Sequence, residues 1–485
     1  MISLKALRDA VDDGVKWAGR QKDAIGVEVF ASSNVLTTMR LGLANNIPSN
    51  ALEEFKSLED FGIGVRVHFN TGRIGFGKES SDLSLNAVKS ALEKARKSCI
   101  KDPFFVSLPQ PAKEKQAIKN YHDPAVLKFN DVQGVKRAYL VLDGALSAVE
   151  KRSSPGGLNM TGELDFLGEQ MAIASTTGIS AVDQSSIVWG HLTATLEGEK
   201  DVAGMHFDSN THIKNFNTGI GREAVERAFA SVDARPVETG TYHLALGHQV
   251  ICDIFSNVFD ASLQSVDFNA SFLQGKKGQK VFDEAITMYD DPHLPYTIGS
   301  KAFNDEGQPT VSTPLVEKGK LVNFLSNDYY AKKFAREKGE TYLGRNGFRF
   351  GGGGGRNYSS EPGIHSTNLV IQKGSLSQKE LFESVDHGLY IDRIWYTYPV
   401  NGSKVSDFTC TVRGNSYVIR NGERAEPLLP NSVRINANLE RMLSTVMGIG
   451  KVQQPIIVWG SEGVVVTPEI AVRDVHVERI ARFLM

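Results

Sequence analysis

The stretch from Asp290 to Leu321 constrains this chain more than any other. It begins Asp290-Asp291-Pro292-His293-Leu294-Pro295 and passes through Gly299-Ser300-Lys301-Ala302-Phe303-Asn304-Asp305-Glu306-Gly307. Its prolines cannot donate a backbone hydrogen bond and its glycines can take positive φ, so the run reads as turns. Pro314 to Val316 and Leu321 to Leu325 read as strands of a hairpin turning at Glu317-Lys318-Gly319-Lys320. A loop this long inside periodic sequence is more often functional than ornamental. Asp290, Asp291, Asp305 and Glu306 could pair as an acid/base or metal-binding set, or act as ordinary turn formers. His293 joins the first acidic turn as a hydrogen-bonding group.

Around this stretch the chain alternates between helical and strand periods. Leu4, Leu7, Val11, Val15 and Ala18 predict a helix over about 3–22. Gly26 to Ala31 and Val35 to Leu41 read as strands about a Ser32-Ser33-Asn34 turn, and Phe61 to Phe69 with Arg73 to Phe76 as a hairpin at Asn70-Thr71-Gly72. Helices are expected over about 83–98 and 131–151, separated by the extended Leu108-Pro109-Gln110-Pro111 linker. Gly162 to Thr177 and Gly178 to Glu197 alternate as antiparallel strands. A short helix, Gly221 to Ser231, precedes a boundary at Arg235-Pro236 to Thr239-Gly240. Beyond it come a strand from Tyr242 to Leu246 and a helix from His248 to Phe259. The rest is strand-rich, including Ile456 to Trp459, with one helical interruption from Asn436 to Met447. The fold class is therefore α+β in two domains. Residues 1–235 should be an antiparallel sheet with packed helices, and 236–485 mainly β, barrel- or sandwich-like.

Composition narrows the function. With 54 basic and 56 acidic residues the net charge is −2, and no basic run interleaves with aromatics, which argues against a nucleic-acid binder. The three cysteines, Cys99, Cys252 and Cys410, are far apart and form no CxxC pair, so neither a disulfide framework nor a thiolate zinc site is suggested. The N-terminus is amphipathic and no apolar run reaches 18 residues, so a cytoplasmic protein without a membrane span is expected.

Several segments together carry a family resemblance. They are the Asp290 stretch, Gly344-Arg345-Asn346-Gly347, Ser366-Thr367-Asn368-Leu369-Val370 and Gly388-Leu389-Tyr390-Ile391-Asp392-Arg393. Gly62-Ile63-Gly64-Val65-Arg66-Val67 with Gly72-Arg73-Ile74-Gly75-Phe76, and Gly221 to Ala228 with Pro236 and Thr239-Gly240, join them. In this order they resemble the TldD/PmbA family, once called modulators of DNA gyrase. The resemblance covers nearly the whole chain. It implies a peptidase system in which catalytic members bind zinc through His-Glu-x-x-x-His on the helix after the boundary, aided by a distant cysteine.

This chain departs from that pattern. The matching strand and helix read His243-Leu244-Ala245-Leu246-Gly247-His248-Gln249-Val250-Ile251-Cys252-Asp253, and Met447 to Val466 contains no cysteine. His248 and Cys252, one helical turn apart, remain as weak metal candidates, with packed residues the bland alternative. Cys410 could be a nucleophile, but its alternating surroundings fit a buried strand cysteine. The glycine run Gly351 to Gly355 lacks the Gly-Lys-Ser/Thr ending of a phosphate loop. Such glycines permit a peptide backbone to approach, and adjacent arginines could hold a carboxylate. Candidates for a peptide groove are thus Asp290, Asp291, His293, Arg345, Asn346, Arg349 and Arg356. No catalytic residue and no cofactor is assigned to this chain, and zinc is expected only in a TldD-like partner. What the resemblance implies is the non-metal subunit of a cytoplasmic peptidase acting on flexible peptides. A homodimeric peptide-binding protein and a stand-alone hydrolase are the alternatives.

Overall fold

The computed structural model of the chain describes residues 2–44, 51–113, 118–150, 157–197, 202–350, 355–457 and 463–480. Its first half is one antiparallel sheet of β1 (Ala24–Leu43), β2 (Ala51–Phe69), β3 (Arg73–Ser80), β4 (Ile100–Lys101), β5 (Leu158–Ser175), β6 (Ser180–Leu196) and β7 (Val202–Asn210), ordered β4-β3-β2-β1-β5-β6-β7. Strand side chains alternate between faces, and here both faces are buried for different reasons. Val27, Val29, Ala31, Ile63, Val65 and Val67 take one face, under helices Leu4–Ala18 and Leu85–Ser98. Farther along, Met39, Leu164, Phe166, Val188 and Leu192 take the same face, under helices Asp131–Glu150 and Ile220–Phe229. The opposite face carries Glu28, Ser32, Asn34, Arg66, Glu169, Asp183 and Ser185, which are also buried. The second half of the chain covers them.

That half is built on two sheets around one apolar core. A six-stranded sheet contains Met288–Asp290, Thr313–Glu317, Asn368–Ile371 and Val464–Thr467; a nine-stranded sheet curls into a half-barrel. Helix His248–Val258 buries Val250, Ile251, Cys252, Ile254 and Phe255 in the core they share. Among the described residues no helix is long and apolar enough to cross a membrane.

The expected α+β class with a first antiparallel sheet and a β-rich second half is what the chain adopts. Several local readings need correction. No turn occurs at Ser32-Ser33-Asn34, because β1 runs unbroken through it. Polar side chains stay in that strand because they have partners: Ser32 Oγ accepts the Tyr358 N–H at 3.0 Å and Asn34 Nδ2 donates to the Arg356 carbonyl at 2.7 Å. The helix expected over Asn436 to Met447 is only Leu439–Leu443, set between strands Val433–Asn438 and Val446–Ile449. Helices Asp328–Lys338 and Gln378–Val385 went unread, as did strand Ile470–Arg479 at the middle of the nine-stranded sheet. The end of the expected strand at Val458 and Trp459, and Gly351 to Gly354 of the glycine run, lie outside the described residues.

Candidate functional site

The turn-rich stretch ends a strand and then folds against the first sheet. Asp290 closes Met288–Asp290 and its carboxyl is fully buried. It accepts from the Thr367 N–H at 2.7 Å, the Thr367 hydroxyl at 3.0 Å and Asn346 Nδ2 at 2.7 Å. Three sequence segments thus meet at one carboxyl. Burial outweighs these donors and pushes Asp290 up to about 7. Asp291 instead makes a local turn, with Oδ1 accepting the His293 N–H at 2.9 Å. His293 Nε2 lies 3.1 Å from Thr310 Oγ1, and burial lowers its pKa. Arg345 donates to Gln308 Oε1 at 2.7 Å.

Arg349 and Arg356 lie deeper, and neither reaches solvent. Arg356 donates to Asp183 Oδ2 at 2.8 Å and to the Phe303 carbonyl, and its Nε lies 3.0 Å from Asp305 Oδ1. That last contact is an ion pair off the hydrogen-bond line, since neither atom has a hydrogen-bond partner. Beside it, Lys301 donates to Glu169 Oε2 at 2.6 Å and Ser185 Oγ at 2.9 Å, while the Arg356 N–H donates to Glu169 Oε1 at 2.9 Å. Burial alone would raise Glu169, but Lys301 and Arg356 overcome it and hold the carboxyl at about 2. Arg349 donates to Glu28 Oε1 at 2.5 Å, and Arg66 takes Glu28 Oε2 at 2.7 Å. Glu306 is pushed up to about 8 by burial and by Asp328 beside it, with Arg66 3.7 Å away. Asp305, Glu306 and both arginines therefore belong to a charged seam that fastens the turn-rich stretch to β1, β2, β5 and β6.

Glycines make that approach possible. A Cβ on Gly62 would lie 2.6 Å from the Tyr358 ring, and one on Gly64 would lie 2.4 Å from the Tyr358 carbonyl. Gly355 has φ +78°, and a Cβ there would meet Glu169 Oε1 at 2.3 Å.

The helix after the boundary places its candidates differently. His248 is half-buried, with Nε2 3.2 Å from the Val452 carbonyl. Cys252 is buried and donates to the Ile456 carbonyl at 3.5 Å. Between them, Gln249 grips one residue of the neighbouring strand Ile394–Pro399: Oε1 accepts the Ile394 N–H at 3.0 Å and Nε2 donates to the Ile394 carbonyl at 3.3 Å. Asp253 accepts from the Thr397 hydroxyl at 2.9 Å and Asn257 at 3.0 Å, and burial raises it to about 6. Zinc does not fit these residues. A tetrahedral site needs three or four convergent donors, and among the described residues no three His, Cys, Asp or Glu side chains come together so. Cys410 is buried in Asp407–Val412, where burial and Asp253 push its thiol far up, away from the thiolate a nucleophile needs.

A cavity of about 130 Å³ opens at the start of this helix, lined in part by Arg227, Gln249, Tyr390, Asp392, Arg393 and Glu469. Asp392 and Arg393 stand out in the sequence only as part of the family resemblance, with no local pattern that gives them a role. Glu28, Glu169 and Asp183 are not among the sequence candidates; their one signal is a charged residue standing in an otherwise apolar strand pattern.

Comparison with known proteins agrees with the architecture. A family profile described as "PmbA/TldA metallopeptidase C-terminal domain" matches residues 239–479, and "PmbA/TldA metallopeptidase domain 1" matches 49–99. A "Metalloprotease" of Methanothermobacter thermautotrophicus is 26% identical over 425 residues, covering 82% of this chain and 83% of the relative. A "Metalloprotease PmbA homolog" of Buchnera aphidicola is 21% identical over 87% of this chain and 88% of its own length. TldE from Thermococcus kodakarensis superposes with a TM-score of 0.78 at 21% identity, covering 98% of this chain and 100% of that one. The two profiles fall in order on the first sheet and the β-rich half, and relatives align along most of their length: the chain belongs to the PmbA/TldD family.

Proposed function

We propose that this protein is the non-metal subunit of a two-subunit cytoplasmic peptidase, paired with a zinc-bearing TldD-like chain and acting on flexible peptides. The observation that carries this reading is the use made of Gln249. A metallopeptidase needs a cation with an open position and a group that takes a proton from the bound water. At this helix the second residue is a neutral carboxamide engaged at both ends by Ile394, and Asp253 is held by Thr397 and Asn257. Such residues brace a strand; they do not activate water. In this reading residues 1–235 and 236–485 are the two domains, and the chain contributes interface and peptide-holding surface while the partner contributes the metal.

The test is hydrolysis of an unstructured peptide by this chain, by a zinc-bearing relative, and by their mixture. Chelator-sensitive cleavage that rises well above either component only in the mixture is expected. Cleavage by this chain alone would overturn the reading.

A further inference from the structure

The Tyr390-Ile391-Asp392-Arg393 segment remains without a task. It lines the cavity at the start of helix His248–Val258, and most of the polar groups there are met. Arg227 Nη1 lies 3.1 Å from Asp392 Oδ2, and Asn415 also donates to Asp392. The Tyr390 hydroxyl lies 2.8 Å from Asp392 Oδ1 and 2.9 Å from Glu469 Oε1, which also accepts Gln378 Nε2 at 2.8 Å.

Arg393 differs. Among the described residues its guanidinium has no carboxylate within 4.0 Å and no hydrogen-bond acceptor. Burial, and Arg413 close by, pull its pKa down to about 10 despite Asp392 and Asp253. Arginine is a poor residue to leave so, because its planar fork is matched to carboxylates. A second feature sits beside it. The helix begins at Gly247 with no side-chain cap, and His248 and Gln249 of its first turn line the same cavity. Glu469 lines the cavity too, and its Oε2 accepts no hydrogen bond among the described residues, which leaves it available to an N–H.

We propose that this cavity binds the C-terminal residue of a peptide, with its carboxylate on Arg393 and its N–H turned toward Glu469. The volume is that of about four waters in the liquid, enough for a terminal carboxylate and the backbone that carries it. A free amino acid offers a carboxylate and an ammonium to the same two groups, so the test must separate the two sources. The proposal shares peptide as ligand with the function proposed above, but binding by this chain alone needs neither partner nor zinc.

The experiment is fluorescence anisotropy on the full chain with an amino-terminally labelled Ala-Ala-Ala-Ala-Leu peptide, as free acid and as C-terminal amide. Amidation is expected to weaken binding by about 10- to 100-fold. R393M should weaken the acid peptide to the level of the amide, with R393K between. N-acetylleucine should compete; competition by leucine but not N-acetylleucine would replace the peptide end with a free amino acid and overturn the assignment. The melting midpoint of R393M should equal or exceed that of the parent, since an unpaired, half-buried cation is removed. Equal binding of acid and amide overturns the proposal, as does an R393M variant that melts well below the parent.

Discussion

The charged seam and the cavity beside helix His248–Val258 both hold arginine, yet they use it in opposite ways. In the seam, Arg356 faces Asp183, Asp305 and Glu169, and Arg349 faces Glu28, so each cation meets carboxylates from another part of the chain. In the cavity, Arg393 meets no carboxylate within 4.0 Å among the described residues. The first arrangement closes an interface and the second leaves an interaction unmade. A buried ion pair is weak evidence for net stability, but breaking one leaves an uncompensated charge. The same residue type thus reads as structural where its partners are inside the chain, and as ligand-facing where they are missing.

The largest effect should come from breaking the closed side. R356M strands Asp183 and Asp305 without their shared cation, while Glu169 keeps Lys301, and is expected to cost about 3–5 kcal/mol, measured by urea unfolding. Loss of less than about 1 kcal/mol would show that the seam is not what fastens the halves. Asp290 sharpens the contrast next, because it is buried with neutral donors and no cation. Its folded pKa of about 7 lies above the ordinary 3.8, so its contribution is fully present below about pH 4 and is lost as pH rises to about 7. D290N should gain on the parent across that window by roughly 2–4 kcal/mol, read as the difference between two melting-versus-pH curves. Parallel curves would refute the assignment. G62A, which drives a methyl group into Tyr358 at the seam's rim, should cost about 1–3 kcal/mol without changing the pH profile.

Much of the frame was legible in the sequence. The period of Leu4, Leu7 and Val11 marks its helix, and Asn70-Thr71-Gly72 marks its hairpin, with Gly72 at φ +70°. Two missed helices carried readable signals: Asn327 and Gly339 cap Asp328–Lys338, and Ser377 with Glu380 forms a capping box before the run to Val385. The seam was not legible, for a physical reason. Glu169 and Lys301 are 132 residues apart and Asp183 and Arg356 are 173 apart, so no local pattern joins them. The same distance explains the false turn at Ser32-Ser33-Asn34. Those residues favour a turn only while their hydrogen bonds have no remote partner, and Tyr358 and Arg356 supply one.

The smallest effects test whether the helix start has any memory of a metal. Gln249 and His248 are adjacent, but only Gln249 is built into the strand beside it. Q249E removes the donor to the Ile394 carbonyl and sets a carboxylate against that oxygen and near Asp253. A cost of about 1–2 kcal/mol is expected. H248A removes one long contact from a half-buried ring and should change stability by less than about 0.5 kcal/mol. If zinc were held here the order would reverse. A ligand's loss would carry the binding energy of the ion with it, and a restored glutamate would be neutral or favourable. Unfolding both variants with and without added zinc therefore decides between a strand anchor and a metal site; the anchor, with Gln249 costlier to change than His248 and neither responding to zinc, is expected.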